Sequence, residues 1–89
     1  MYYVGIDVAK SFHIACVLGE DGNLLKKNFR INSKRSSFDM LYQLLDTIDK
    51  DRSKFLIGME ATGLLFENLY IYLQTLGYNV VLLNPYRAA

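Results

Sequence analysis

The apolar positions follow a two-residue period at the start of the chain and a three-to-four-residue period later. From Tyr2 to Val8, Tyr2, Val4, Ile6 and Val8 alternate with Tyr3, Gly5 and Asp7, which predicts a strand with two distinct faces. A second strand is expected from about Phe12 to Leu18, where Phe12, Ile14 and Val17 favour extended backbone. Glu20-Asp21-Gly22-Asn23 is a turn signal, and Leu24 to Ile31 returns as a third strand. In it Leu25, Lys27, Phe29 and Ile31 are expected on one face, with Leu24, Lys26 and Arg30 on the other. Three strands joined by tight turns predict an antiparallel meander.

The period then changes. Phe38, Leu41, Leu44, Leu45 and Ile48 mark one face of an amphipathic helix. Ser36 is the expected N-cap, with Asp39 three residues on in a near match to a capping box. Lys54 to Met59 is a short apolar run and is expected to be a buried fourth strand. A second helix is expected from about Leu64 to Leu76, with Leu65, Leu69, Tyr72, Leu73 and Leu76 as its core stripe. Gly77 stands where a left-handed C-cap belongs, and Asn79 to Leu83 forms a fifth strand ended by Asn84-Pro85. The order is βββαβαβ. Right-handed crossovers place the fourth strand beside the first and parallel to it, with the fifth outside the fourth. A mixed five-stranded sheet of order 3-2-1-4-5, with strand 2 antiparallel, is the RNase H-like α/β arrangement.

Eighty-nine residues make one small domain or a piece of one, burying only roughly 60–65% of the unfolded surface. With 52% hydrophobic and 21% charged residues, the composition excludes disorder. The one cysteine, Cys16, excludes an internal disulfide and suits a reducing cytoplasm. Met1 to Val8 is too short and too interrupted by Asp7 for a signal peptide, and no run reaches membrane-span length. A cytoplasmic protein is therefore expected, with no membrane partner. The net charge of +1 says little about partners, but its distribution says more. No acid lies between Asp21 and Asp39, where Lys26, Lys27, Arg30, Lys34 and Arg35 all fall; Asp39, Asp46, Asp49 and Asp51 follow. This reads either as two solvated faces of opposite sign or as a phosphate-facing edge at the end of the third strand.

Two segments look alike: Gly5-Ile6-Asp7-Val8-Ala9 and Gly58-Met59-Glu60-Ala61-Thr62. On adjacent strands their side chains lie ~5 Å apart across the pair, and Gly5 and Gly58 clear space beside the acids. A carboxylate within a buried strand is expensive unless it is charged and coordinated. Two side by side repel, which a divalent cation relieves. Oxygen ligands without Cys or His clusters favour Mg²⁺ or Mn²⁺. The plainer alternative makes Asp7 a turn cap and Glu60 a cap or solvated end of the second helix, but their pairing on neighbouring strands favours a site. Two ligands are too few for two-metal phosphoryl transfer, which needs about three or four carboxylates. Lys10 is placed either to touch a phosphate or simply to be solvated. His13 reads as a partly buried strand histidine with one hydrogen bond rather than a site member. Thr62 is a good N-cap for the second helix, Cys16 reads as packing, and Tyr42, Tyr70 and Tyr72 read as helical core or rim.

The segment Val4-Gly5-Ile6-Asp7-Val8-Ala9-Lys10, with His13 on the next strand, resembles the start of the DEDD insertion-sequence transposases, the IS-one-ten group. Gly58-Met59-Glu60-Ala61-Thr62-Gly63 and the closing Val80 to Pro85 resemble that family too, with agreeing spacing over essentially all 89 residues. The resemblance implies a RuvC-like catalytic domain of RNase H-like fold that cuts and joins DNA with divalent metal. It makes Asp7 the first catalytic, metal-binding acid and Glu60 the second. The family's other two acids lie in a segment beyond Asn-Pro, and its second domain carries a serine implicated in recombination. Residues 1–89 then correspond to the N-terminal part of the catalytic domain and are expected to be inactive alone. DNA is the implied partner, and a guide-type RNA is a partner in parts of the family. Lys10, Lys26, Lys34 and Arg35 are the candidate nucleic-acid contacts.

Two other classes compete. The ATP-binding domains of the actin and sugar-kinase type share the strand order, but their phosphate-gripping Gly-Thr is replaced here by Ala9-Lys10. A non-catalytic assembly module is the third reading, because unpaired sheet edges and apolar helix stripes favour a homo-oligomer.

Overall fold

The computed structural model describes residues 1–8, 12–60 and 66–83. Its elements are β1 (Tyr2–Val8), β2 (His13–Leu18), β3 (Leu24–Ile31), α1 (Arg35–Ile48), β4 (Phe55–Glu60), α2 (Phe66–Thr75) and β5 (Asn79–Leu83), with a 3-10 turn at Arg52–Lys54. The five strands form one sheet in the order β3-β2-β1-β4-β5. β2 is antiparallel to both β1 and β3, while β4 runs parallel to β1 and β5 parallel to β4. This is the expected mixed RNase H-like sheet. No helix among the described residues is long and apolar enough to cross a membrane.

One face of the sheet makes the core. Val4 and Ile6 of β1, Ala15 and Val17 of β2, Phe55, Ile57 and Met59 of β4 and Val80 of β5 are buried with Phe38, Leu41 and Leu45 of α1 and Leu69 and Leu73 of α2. The alternate residues point the other way, and Tyr3, Leu18, Val81 and Leu83 remain exposed there. Among the described residues nothing lies over that second face. Arg52 ties the two helices together by donating to the Tyr42 hydroxyl at 2.7 Å and to the Leu76 carbonyl.

Turn chemistry holds where glycine is required. Gly22 has φ +84 in the turn between β2 and β3, where Gly19 N–H donates to the Asn23 carbonyl at 2.8 Å. Gly77 has φ +96 after α2; its N–H donates to Gln74 and that of Tyr78 to Leu73, the paired bonds of a Schellman ending.

Three local expectations are corrected. α1 starts at Arg35 with Lys34 at the N-cap and no side-chain cap bond, so Ser36 lies inside the first turn. The side-chain bonds come instead from Asn32, whose Oδ1 accepts from Lys34 N–H, and from Ser37, whose Oγ accepts from Asn32 N–H. These bonds already fix the chain entering the helix. β4 runs to Glu60 rather than Met59, and α2 is described only from Phe66, which leaves Thr62 outside the described residues. The faces of β3 also differ. Ala15 pairs with Phe29 but Val17 pairs with Lys26, so three steps on β3 oppose two on β2. This β-bulge puts Lys26 on the side of Phe29, its Nζ 6.0 Å from the ring centroid, and separates it from Arg30.

Candidate metal and nucleic-acid site

The parallel register between β1 and β4 pairs Gly5 with Gly58 and Ile6 with Met59. Asp7 and Glu60 are the next residue on each strand, one step past the last pair. Across the neighbouring strands Asp7 faces Ile14, and Glu60 faces Leu83. Alternation therefore puts both acids on the open face at the C-terminal ends of two parallel strands. They line one open groove of about 470 Å³ together with Gly5, Ile14, Cys16 and Asn28. A Cβ built on Gly5 would meet nothing within 4 Å, and one on Gly58 would meet only the Leu83 side chain at 3.5 Å. The paired glycines leave the groove floor at backbone level.

The acids are less buried than the alternation suggests. Asp7 is exposed and Glu60 half-buried, because no layer lies over their face among the described residues. The desolvation cost expected for a carboxylate inside a buried strand does not arise here. Among the described residues no third Asp, Glu, His or Cys joins them in a metal-binding group. As a donor set, two carboxylates over a glycine floor suit an oxygen-coordinated divalent cation, but they supply only part of its shell.

The other candidates fall in different places. Lys10 lies outside the described residues. Lys26 lies on the helix side of β3. Lys34 caps α1, and Arg35 pairs with Asp39 at 3.5 Å while its guanidinium lies 5.1 Å from the Tyr72 ring centroid. These three residues thus border the helix face, not the acidic one. His13 shares the core face with Ala15 and Val17; it is 1% exposed, and among the described residues neither ring nitrogen has a hydrogen-bond partner. The single hydrogen bond expected for it is not found among the described residues, and burial lowers its pKa. Cys16, expected to be packing, is half-buried in the acidic groove because its alternation puts it opposite Gly5 on the open face. Tyr42 and Tyr72 are half-buried rim residues; the Tyr72 hydroxyl donates to Asp39 at 2.5 Å.

Sequence reasoning missed two residues. Arg30 faces Ile14 and so joins the row that contains both acids. Asn28 lines the acidic groove through its place in the bulge. Arg30 was visible only as one of five basic residues, and its separation from Lys26 needs the bulge, which no local pattern announces.

A sheet of order β3-β2-β1-β4-β5 with an antiparallel second strand, and two acids ending its adjacent parallel strands, defines an RNase H-like α/β domain. The family model of the DEDD transposases of the IS110 type, described as transposase, matches residues 4–89. The chain belongs to this family and is a transposase domain. No curated protein matches it.

Proposed function

We propose that this domain supplies two of the metal-binding carboxylates for metal-dependent DNA strand cleavage and transfer during transposition of an insertion sequence. One observation supports this most: Asp7 and Glu60 continue the Gly5–Gly58 register on one face and share a groove with a glycine floor. Both would hold Mg²⁺ or Mn²⁺ through oxygen. The bound ion would supply Lewis acidity at a phosphoryl group. The open groove leaves room beside the acids for a nucleic-acid strand, DNA or a guide-type RNA. Two carboxylates are too few for two-metal phosphoryl transfer, so cleavage would need further acids to join this pair.

Thermal and urea unfolding of wild type, Asp7→Asn and Glu60→Gln, with chelator and with Mg²⁺ or Mn²⁺, test the site. At ten times Kd, binding to the folded state alone adds about 1.4 kcal/mol. The wild type should show a gain of this order, and each variant should show less than half of it. Equal metal responses in all three proteins would remove Asp7 and Glu60 from the metal site.

The open apolar strip of Tyr3, Leu18, Val81 and Leu83 gives the assembly reading a specific footing as well. Self-association that Leu83→Ser and Val81→Ser abolish, observed by sedimentation at several concentrations, would establish that role beside the catalytic one.

A further inference from the structure

The bulge in β3 changes what reaches the acidic groove. Eight residues of β3 run beside six of β2, and the extra length falls between the Ala15–Phe29 and Val17–Lys26 pairs and again between the Val17–Lys26 and Leu18–Leu24 pairs. At the first irregularity Asn28 adopts φ +55, which no other described residue except glycine does at positive φ. A left-handed residue costs roughly the energy of a weak hydrogen bond even for Asn, the side chain that tolerates it best. Bulges beside functional sites commonly re-aim side chains, and this one points Asn28 into the groove that holds Asp7 and Glu60. No hydrogen bond from its side chain to a described residue accounts for the conformation.

Past the bulge, Arg30 lies opposite Ile14, which lies opposite Asp7, so all three share one row across the sheet. Two strand spacings separate the backbones of Arg30 and Asp7 by ~10 Å. The Arg30 guanidinium carbon is 3.9 Å from the Phe12 ring centroid. Stacking at that distance restrains the side chain but uses none of its N–H donors. Arg35 pairs with Asp39, Lys50 with Asp46 and Lys54 with Asp49, whereas Arg30 has no carboxylate partner among the described residues. A restrained guanidinium with its fork of donors free suits paired phosphate oxygens.

We propose that Arg30, stacked on Phe12, and Asn28 form the strand-anchoring wall of the acidic groove. They grip the sugar-phosphate backbone of the DNA strand whose neighbouring phosphate lies at Asp7 and Glu60. The inference rests on the transposase-site reading of those two acids and adds the residues that position the substrate. Lys26, Lys34 and Arg35, on the helix side of the same edge, supply only diffuse attraction.

Fluorescence anisotropy of the full 89-residue chain with a fluorescein-labelled DNA duplex bearing a single-stranded tail, in Mg²⁺ over a range of salt, tests this. Arg30→Gln should weaken binding roughly five- to tenfold and lower the salt slope by about one. Arg30→Lys should retain the salt slope yet recover little of the affinity, because the planar fork and stack are lost. Asn28→Gly keeps the left-handed backbone without its strain, so it should weaken binding about threefold with no loss of thermal stability. A merely structural role for either residue would lower the unfolding temperature without this separation of affinity and salt slope. Wild-type affinity in the Arg30 and Asn28 variants, with the loss appearing instead in a Lys26→Gln/Lys34→Gln/Arg35→Gln protein, would overturn the wall. Absence of DNA binding by the wild type would overturn the transposase-site reading beneath it.

Discussion

The buried imidazole of His13 should make the domain sensitive to mild acid, and His13→Leu isolates that effect. His13 is 1% exposed, its strand partners are Val8 and Ile31, and neither ring nitrogen has a hydrogen-bond partner among the described residues. Burial holds its pKa below the ordinary 6.5. The unfolded chain therefore takes up a proton that the folded chain refuses. Stability is complete above about pH 6.5 and falls as pH drops below it, until the folded pKa is reached. Within that window the slope is up to ~1.4 kcal/mol per pH unit. Leucine is close in volume and does not titrate. Removing two unsatisfied buried atoms should stabilise by ~1–3 kcal/mol, offset by ~1 kcal/mol for imperfect repacking. The variant should thus equal or exceed the wild type near neutrality, and its advantage should grow as pH falls below 6.5. Urea unfolding of both proteins at about pH 7.5 and 5.5 measures this. Carboxylate titration is common to both and cancels in the difference. A constant difference between the two proteins at both pH values would refute the reasoning, because it would mean that the imidazole is hydrogen-bonded or solvated.

Two further predictions concern stability. Gly77→Ala should cost ~1–2 kcal/mol by urea unfolding, because φ is +96 there while nothing lies within 4 Å of the added Cβ; a neutral result would show that α2 ends differently. Burial pushes Tyr72 and Tyr78 from 10.0 up to about 12, helped at Tyr72 by its bond to Asp39. Their folded pKa values are raised, so stability is complete below pH 10 and falls toward 12, by up to ~1.4 kcal/mol per pH unit for each. The Tyr72→Phe/Tyr78→Phe protein should lose stability less steeply than wild type across that range, and a parallel decline would remove both groups from the alkaline transition.

The sequence by itself determined the elements, their order and the sheet. Alternation from Tyr2 to Val8 and helical spacing from Phe38 to Ile48 are local consequences of which side chains must leave water. Gly22 and Gly77 lie at positive φ because local backbone sterics demand glycine there. The crossover rule puts β4 beside β1, which makes the common face of Asp7 and Glu60 legible in the sequence. Tertiary structure decided what depends on a partner. The face of Lys26 relative to Arg30 follows from pairing β3 with a shorter β2, and a two-residue period within one strand carries no record of a bulge in its register. Likewise Ser36 fits a cap by composition, yet the bonds of Asn32 and Ser37 place the first turn at Arg35. Burial differs in the same way: Asp7 and His13 both lie on apolar strands, but one faces solvent and the other is buried on the core face. Desolvation is set by the layer across from a side chain, and that layer comes from residues far away in the chain.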